Sequence, residues 1–283
     1  MPLAKCNVCH NECEIKDGAY GICTARRAEG DVVKCANYGL VTSIALDPIE
    51  KKPLNLFHPW SYIVSVGSYG CNLRCPFCQN HDISYGFGRE FRGGTRYISS
   101  AELSEIAKEY EDRGNIGVAF TYNEPLVGYE YVIDTAQEVH GKGMKTVLVS
   151  NGNVSDSVAD LVIPHIDAMN IDLKGFTDDY YTRVLKGSRK MVMDFIQRAA
   201  GRSHLELTTL IVPGYNDTED EINKLSEWVA GLDGGRGAET IALHITRYFP
   251  RYKLDVPATN VDLIMRLTEV AGKNLKFVFP GNV

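Results

Sequence analysis

Eight cysteines stand at positions 6, 9, 13, 23, 35, 71, 75 and 78, and none follows Cys78 in a chain of 283 residues. Thiolates are soft ligands and disulfides rarely persist in a reducing compartment, so cysteines grouped this way point to metal or cluster ligation. The tightest group is Cys71-x3-Cys75-x2-Cys78, inside the run Gly67-Ser68-Tyr69-Gly70-Cys71-Asn72-Leu73-Arg74-Cys75-Pro76-Phe77-Cys78-Gln79-Asn80. A cubane iron–sulfur cluster normally takes four thiolates. Three on one loop leave one iron without a protein ligand and open to a small molecule. The alternative is a zinc site completed by a distant residue such as His81, because closed zinc sites need four ligands.

Composition bounds what can hold that loop. The chain is 44% hydrophobic and 23% charged, the balance of a globular protein with a substantial core. A formal net charge of −6 gives no general attraction for nucleic acid or anionic lipid, and neither is expected as a partner. No apolar run approaches the roughly 20 residues of a membrane helix, and the first residues lack the apolar stretch of a secretion signal, so the expected location is the cytoplasm, away from membranes.

Residues 1–58 read as a cysteine-rich module that ends in a hairpin of Val32–Cys35 with Val41–Leu46, broken by Asp47-Pro48. Residues 59–283 read as the body, an α/β unit. From Tyr62 onward short β-rich runs alternate with amphipathic helical stretches, the pattern of βαβ units around a parallel sheet. Seven strands are expected: 62–66, 116–121, 145–150, 168–173, 205–212, 240–245 and 275–279. Six helices lie between them, at 99–113, 126–140, 155–163, 191–200, 218–230 and 260–271. Ser99 or Ser100 ahead of Glu102, and Thr218 ahead of Glu219, Asp220 and Glu221, read as helix caps. In such sheets chemistry gathers at the carboxyl ends of the strands. The polar motifs fall there: Thr121-Tyr122-Asn123-Glu124-Pro125 after the second strand, Ser150-Asn151-Gly152 after the third, and Asp172-Leu173-Lys174 after the fourth. Asp172 and Lys174 share one face of a strand, so both can reach one polar ligand or pair with each other.

The three-cysteine loop, with Phe77 before its last cysteine, resembles the radical S-adenosylmethionine (SAM) superfamily, and the resemblance spans about residues 60–280. It implies a partial (β/α)6 TIM-like barrel and a [4Fe–4S] cluster on Cys71, Cys75 and Cys78. It also implies reductive cleavage of SAM to a 5′-deoxyadenosyl radical that abstracts hydrogen from a substrate. Glu124-Pro125 is similar to the superfamily's Gly-Gly-Glu-Pro element, with Tyr122 and Asn123 in place of the glycines. Ser150-Asn151-Gly152 and Asp172-Leu173-Lys174 are similar to elements of glycyl-radical activating enzymes. Cofactor contacts are therefore expected from Phe77, Asn123, Glu124, Ser150, Asn151, Asn170, Asp172, Lys174 and Arg247, while no catalytic residue is singled out. Segments 47–54, 212–217 and 244–253 resemble the AmmeMemoRadiSam-type branch, which is pyruvate formate-lyase activating enzyme-like. That branch implies an electron donor such as flavodoxin or ferredoxin, and a glycyl-radical protein or Memo-like and AMMECR-like proteins as partners.

The sequence departs from this pattern in places. Val149 stands where activating enzymes place a cation-site aspartate, and Arg247 where they place a histidine. Relatives of the branch continue into a tail with a further cysteine pair, whereas this chain ends at Val283. Cys6, Cys9, Cys13 and Cys23 then form a second group of four thiols, for which zinc, an auxiliary iron–sulfur cluster and no metal all remain open. Cys35 reads as packing. The loop 86–96 carries Arg89, Arg92 and Arg96, read as solvated rather than substrate-binding. Two further functions are carried beside the leading one: SAM cleavage that yields an aminocarboxypropyl group, and a metal-stapled adaptor without turnover.

Overall fold

The computed structural model describes residues 3–86 and 94–283. Arg89 and Arg92 lie outside the described residues. Arg96 is exposed and pairs with Glu102 at 2.8 Å, as a solvated arginine does.

The body is one open sheet of eight strands in strictly sequential order. Its strands are β1 (Ser43–Pro48), β2 (Tyr62–Gly67), β3 (Asn115–Phe120), β4 (Lys145–Ser150), β5 (Ala168–Asp172), β6 (His204–Ile211), β7 (Ala242–Arg247) and β8 (Val278–Gly281). All neighbours are parallel except β1, which runs antiparallel to β2. The crossovers are α1 (Ser100–Glu109), α2 (Tyr129–Gly141), α3 (Asp156–Val162), α4 (Arg189–Ala199) and α5 (Glu219–Ala230), with α6 (Val261–Ala271) leading to β8. All seven expected strands and six expected helices are present, with ends displaced by up to four residues. The caps form as read: Ser99 accepts from Glu102 N and Thr218 from Glu221 N.

Alternation along the strands sorts their two faces. Val64, Val66, Val118, Phe120, Leu148, Met169, Ile171, Leu207, Leu243 and Ile245 join the main core beneath the helices. Ile63, Ala119, Val147 and Ala168 face the other way, into the concave side of the partial barrel. Ile49 and Leu54, both 0% exposed, join them there. The run after β1 is thus a plug that closes the lower end of the barrel. Fully buried Glu206 ties the plug in place, accepting from Asn55 N (3.0 Å), Leu56 N (2.8 Å), His204 Nε2 (3.0 Å) and His244 Nε2 (2.7 Å). Burial alone would raise its carboxyl, but these donors hold it down to about 2.

The expected hairpin is not formed. Val32–Cys35 pairs instead with Arg26–Glu29 across Gly30-Asp31, where Gly30 takes a φ of +64° that favours glycine in a two-residue turn. Leu40–Val41 pairs with Arg96–Tyr97. Asp47 and Pro48 do not break the chain but complete β1, opposite Ile63 and Tyr62, because an edge strand tolerates proline on its free side. The main sheet therefore includes chain that precedes residue 58.

Candidate active site

The loop that leaves β2 carries the three closely spaced cysteines. At Gly70 the backbone has a φ of +94°, and a Cβ there would lie 2.5 Å from the Cys23 carbonyl, so only glycine lets the N-terminal module seat against this loop. Cys75 is buried while Cys71 and Cys78 are half-buried. The thiols are close enough to act on one another. Burial, the Glu124 carboxylate and the other two sulfurs push Cys71 far up, and burial pushes Cys75 to about 11 against the pull of Lys174. Tyr85 lies beside all three, and its hydroxyl donates to Cys75 O at 3.3 Å.

Glu124 is the hinge of the second motif. It is 2% exposed, and its two oxygens accept from Ser150 Oγ (2.7 Å), Asn151 N (2.8 Å) and Leu126 N (3.0 Å). Burial raises its carboxyl to about 7 despite these donors. The bonds lock the ends of β3 and β4 together. Asn151 then reaches the cysteine loop, donating to Asn72 Oδ1 at 2.9 Å and toward Cys71 Sγ at 3.8 Å. Asn123 accepts from Ser68 N (3.0 Å) and donates to Gly70 O (3.1 Å), which fixes the same loop from its other side.

Asp172 and Lys174, at the end of β5, pair at 2.7 Å. Burial would depress the Lys174 ammonium, yet Asp172 and the Cys75 sulfur hold it well above its ordinary range. The pair thus sits at the thiol group. Phe77 is buried edge-on to Tyr248. Asn170 lies deeper, fully buried, accepting from Thr208 Oγ1 and donating to Pro53 O, both at 2.8 Å. Arg247 ends β7, donates from Nε to Thr259 O at 2.7 Å and lies over the Phe249 ring.

One group went unassigned in the sequence. Tyr122 has a φ of +72° and turns its ring onto Gly67, down into the barrel. Its hydroxyl donates to Asp47 Oδ2 at 2.8 Å, and buried Lys52 grips the same oxygen at 2.9 Å while lying 4.8 Å from the ring centre. Asn80 of the cysteine loop holds Tyr122 O at 2.7 Å. The plug, the Glu124 loop and the cysteine loop are therefore tied together at one residue. The available signal was Tyr122 at a position of the motif where the superfamily has glycine.

The donor set decides which group fits. Tetrahedral zinc at about 2.3 Å from each sulfur needs sulfurs roughly 3.8 Å apart. Among the described residues, no three His, Cys, Asp or Glu side chains are placed to hold one ion, either at the Cys71 loop or at Cys6, Cys9, Cys13 and Cys23, so zinc finds no support at either. His81 stacks on Tyr252 instead. Three mutually coupled thiols with a neighbouring ammonium and no fourth protein thiol suit a cubane, whose thiolates bind different irons.

A parallel partial barrel with a three-thiol loop after its first parallel strand defines a class of protein, and comparison places the chain in it. Residues 65–229 match the radical SAM superfamily model, and the chain belongs to that superfamily. The superfamily implies a [4Fe–4S] cluster and SAM, and an enzyme. An uncharacterized protein of Methanocaldococcus jannaschii is 37% identical over 99% of this chain and 81% of its own length. The pyruvate formate-lyase 1-activating enzyme of Escherichia coli K12 is 23% identical over 62% of this chain and 71% of its own length. Among solved structures, a radical SAM methyltransferase from Sphaerobacter thermophilus superposes with a TM-score of 0.58 at 16% identity, covering 79% of this chain and 67% of that one. That last likeness is one of fold. No helix among the described residues is long and apolar enough to cross a membrane.

Proposed function

We propose that this enzyme holds its [4Fe–4S] cluster on Cys71, Cys75 and Cys78 and binds SAM across the carboxyl ends of β3 to β5. When bound, the cluster and SAM together supply an electron-driven carbon–sulfur cleavage that ends in hydrogen abstraction from a substrate. The chain's own residues do the rest. Asn123 and Glu124 shape the loop that faces the amino acid end of SAM, and the raised Glu124 carboxyl can keep a proton or accept from an ammonium. Ser150 and Asn151 hold Glu124 in place, while Lys174 offers a cation beside Cys75 with Asp172 as its counter-ion. Tyr85 lies beside the three thiols, and buried Phe77 of the cysteine loop packs edge-on to Tyr248. Arg247 supplies a guanidinium that stays charged, which suits a carboxylate and not proton transfer.

The observation that carries this reading is the convergence of the Glu124–Ser150–Asn151 network and the Asp172–Lys174 pair on Cys71 and Cys75. Likeness to pyruvate formate-lyase activating enzymes favours an activating-enzyme-like reading, with a flavodoxin or ferredoxin as donor and a glycyl-radical protein as partner, while segments 47–54, 212–217 and 244–253 are what support the AmmeMemoRadiSam type. The test is the nucleoside made by anaerobically reconstituted protein with a chemical reductant and SAM. We expect 5′-deoxyadenosine by mass spectrometry. Methylthioadenosine would instead show aminocarboxypropyl chemistry, and no cleavage by fully loaded protein would favour a non-catalytic adaptor.

A further inference from the structure

Segment 47–54 stands out in the sequence, yet the function proposed above makes no use of it. Two of its polar side chains converge on Tyr122. Tyr122 Oη donates to Asp47 Oδ2 at 2.8 Å, Lys52, 2% exposed, grips the same oxygen at 2.9 Å, and the Lys52 ammonium lies 4.8 Å from the ring centre. Lys51 adds a longer contact to Asp47 Oδ1 at 3.3 Å. The ring finds its seat only because residue 67 is glycine, since a Cβ there would lie 2.8 Å from Tyr122 Cδ2.

These ties hold a strained turn. Tyr122 has a φ of +72°, and Asn123 N donates to Thr121 O at 3.0 Å, so the chain reverses through a γ-turn of the rare form, centred on Tyr122. A residue with a Cβ resists this backbone, whereas glycine takes it freely. Such an outlier persists only where the surrounding contacts over-determine it. Here they come from Asp47 and Lys52 below, and from Asn80 Nδ2, which donates to Tyr122 O at 2.7 Å.

The turn sets the course of the residues after it. Asn123 accepts from Ser68 N and donates to Gly70 O, and Glu124 N donates to Gly70 O at 3.2 Å. Glu124 then reaches Ser150 and Asn151. Were residue 122 to relax to a negative φ, Asn123 and Glu124 would leave the cysteine loop together.

We propose that Tyr122 is a positioning residue for SAM. Asp47 and Lys52 hold its side chain, the held side chain fixes the strained turn, and the turn aims Asn123 and Glu124. This rests on the reading above that these two residues shape the loop facing the amino acid end of SAM. With glycine at 122 the turn would need no such support, so Tyr122, Asp47 and Lys52 act as one unit.

The test compares the full chain, reconstituted anaerobically, with its variants. Equilibrium dialysis gives the dissociation constant for SAM, while iron content and the electron paramagnetic resonance (EPR) signal after reduction confirm that each variant carries its cluster. Tyr122→Ala and Tyr122→Gly lose the same ring and hydroxyl, and urea melts of the apoprotein should show both destabilised. Their affinity for SAM should differ. Alanine resists the positive φ with nothing left to hold it, so affinity should fall about tenfold or more, while glycine accepts that φ and should stay within about threefold of wild type. Tyr122→Phe keeps the ring and should fall between them. Asp47→Asn loosens the tie from the far end of the side chain, and should weaken SAM binding about fivefold in wild type and not in Tyr122→Gly. Should Tyr122→Ala fail to fold, Asp47→Asn in the two backgrounds decides. Equal affinity in Tyr122→Ala and Tyr122→Gly, or an equal effect of Asp47→Asn in both backgrounds, would overturn the proposal. A loaded wild type that binds no SAM would sink the function proposed above and this extension with it.

Discussion

Cys75→Ser is expected to abolish both the cluster absorption and the cleavage of SAM. Cys75 is the buried member of its group, with the positive charge of Lys174 beside it. Serine keeps the volume, but its hydroxyl does not ionise to a soft ligand, so one iron loses its anchor. Changes to groups that merely support a metal ligand already cost about 10–100-fold, and loss of the ligand itself should exceed about 100-fold in product formed. Stability in urea separates loss of ligand from loss of fold. Cys35→Ser is the control, because Cys35 lies outside the Cys71 loop, its thiol donating to Asn37 Oδ1 at 3.1 Å and lying beside Arg26. It should leave cluster content and SAM cleavage unchanged. Equal loss in both variants would mean that Cys75 matters for folding and not for ligation.

Glu124→Ala is expected to cost about 3–5 kcal/mol of stability and most of the affinity for SAM. The change strands Ser150 Oγ, Asn151 N and Leu126 N in a buried place, where each unmet group costs roughly 1–3 kcal/mol. It also frees Asn151 from β4 and so loosens its hold on Asn72 and the cysteine loop. Glu124→Gln keeps the shape and should lose less. The pH dependence has a definite sign. The folded carboxyl is raised to about 7 from 4.5, so between those values the folded state binds more protons and stability falls as pH rises. Glu206, lowered to about 2, acts in the opposite sense at lower pH, losing its stabilisation as pH falls through the range from 4.5 to 2. Urea melts of the apoprotein at pH 5 and pH 8 should therefore show a downward step in wild type that Glu124→Gln flattens. An unchanged step would remove Glu124 as its cause.

The parts of the fold that follow from periodicity were legible in the sequence, and the parts that depend on distant pairing were not. Strand runs such as Lys145–Ser150 and caps such as Ser99 and Thr218 carry their signal within a few residues. The partners of Val32–Cys35 and Ser43–Pro48 do not: the first is the charged run Arg26–Glu29, which has no apolar alternation to mark it as a strand, and the second, Tyr62–Gly67, lies beyond the plug. Asp47, Lys52 and Tyr122 meet only because the plug folds under the sheet, which no local pattern records. The site divides the same way. Loop spacing marked Cys71, Cys75 and Cys78, and strand-end position marked Glu124 and Lys174. Asn72 sat inside the marked loop, yet its role as the bridge between Asn11 and Asn151 needs both partners in space.

The central claim is that the Cys71 loop carries a cluster whose open iron takes SAM. EPR of the reduced, reconstituted protein with and without SAM tests it most directly. The predicted result is a signal that changes shape when SAM is added and that Cys75→Ser removes. Absence of any signal that responds to SAM, or a SAM-responsive signal that survives Cys75→Ser intact, would contradict it.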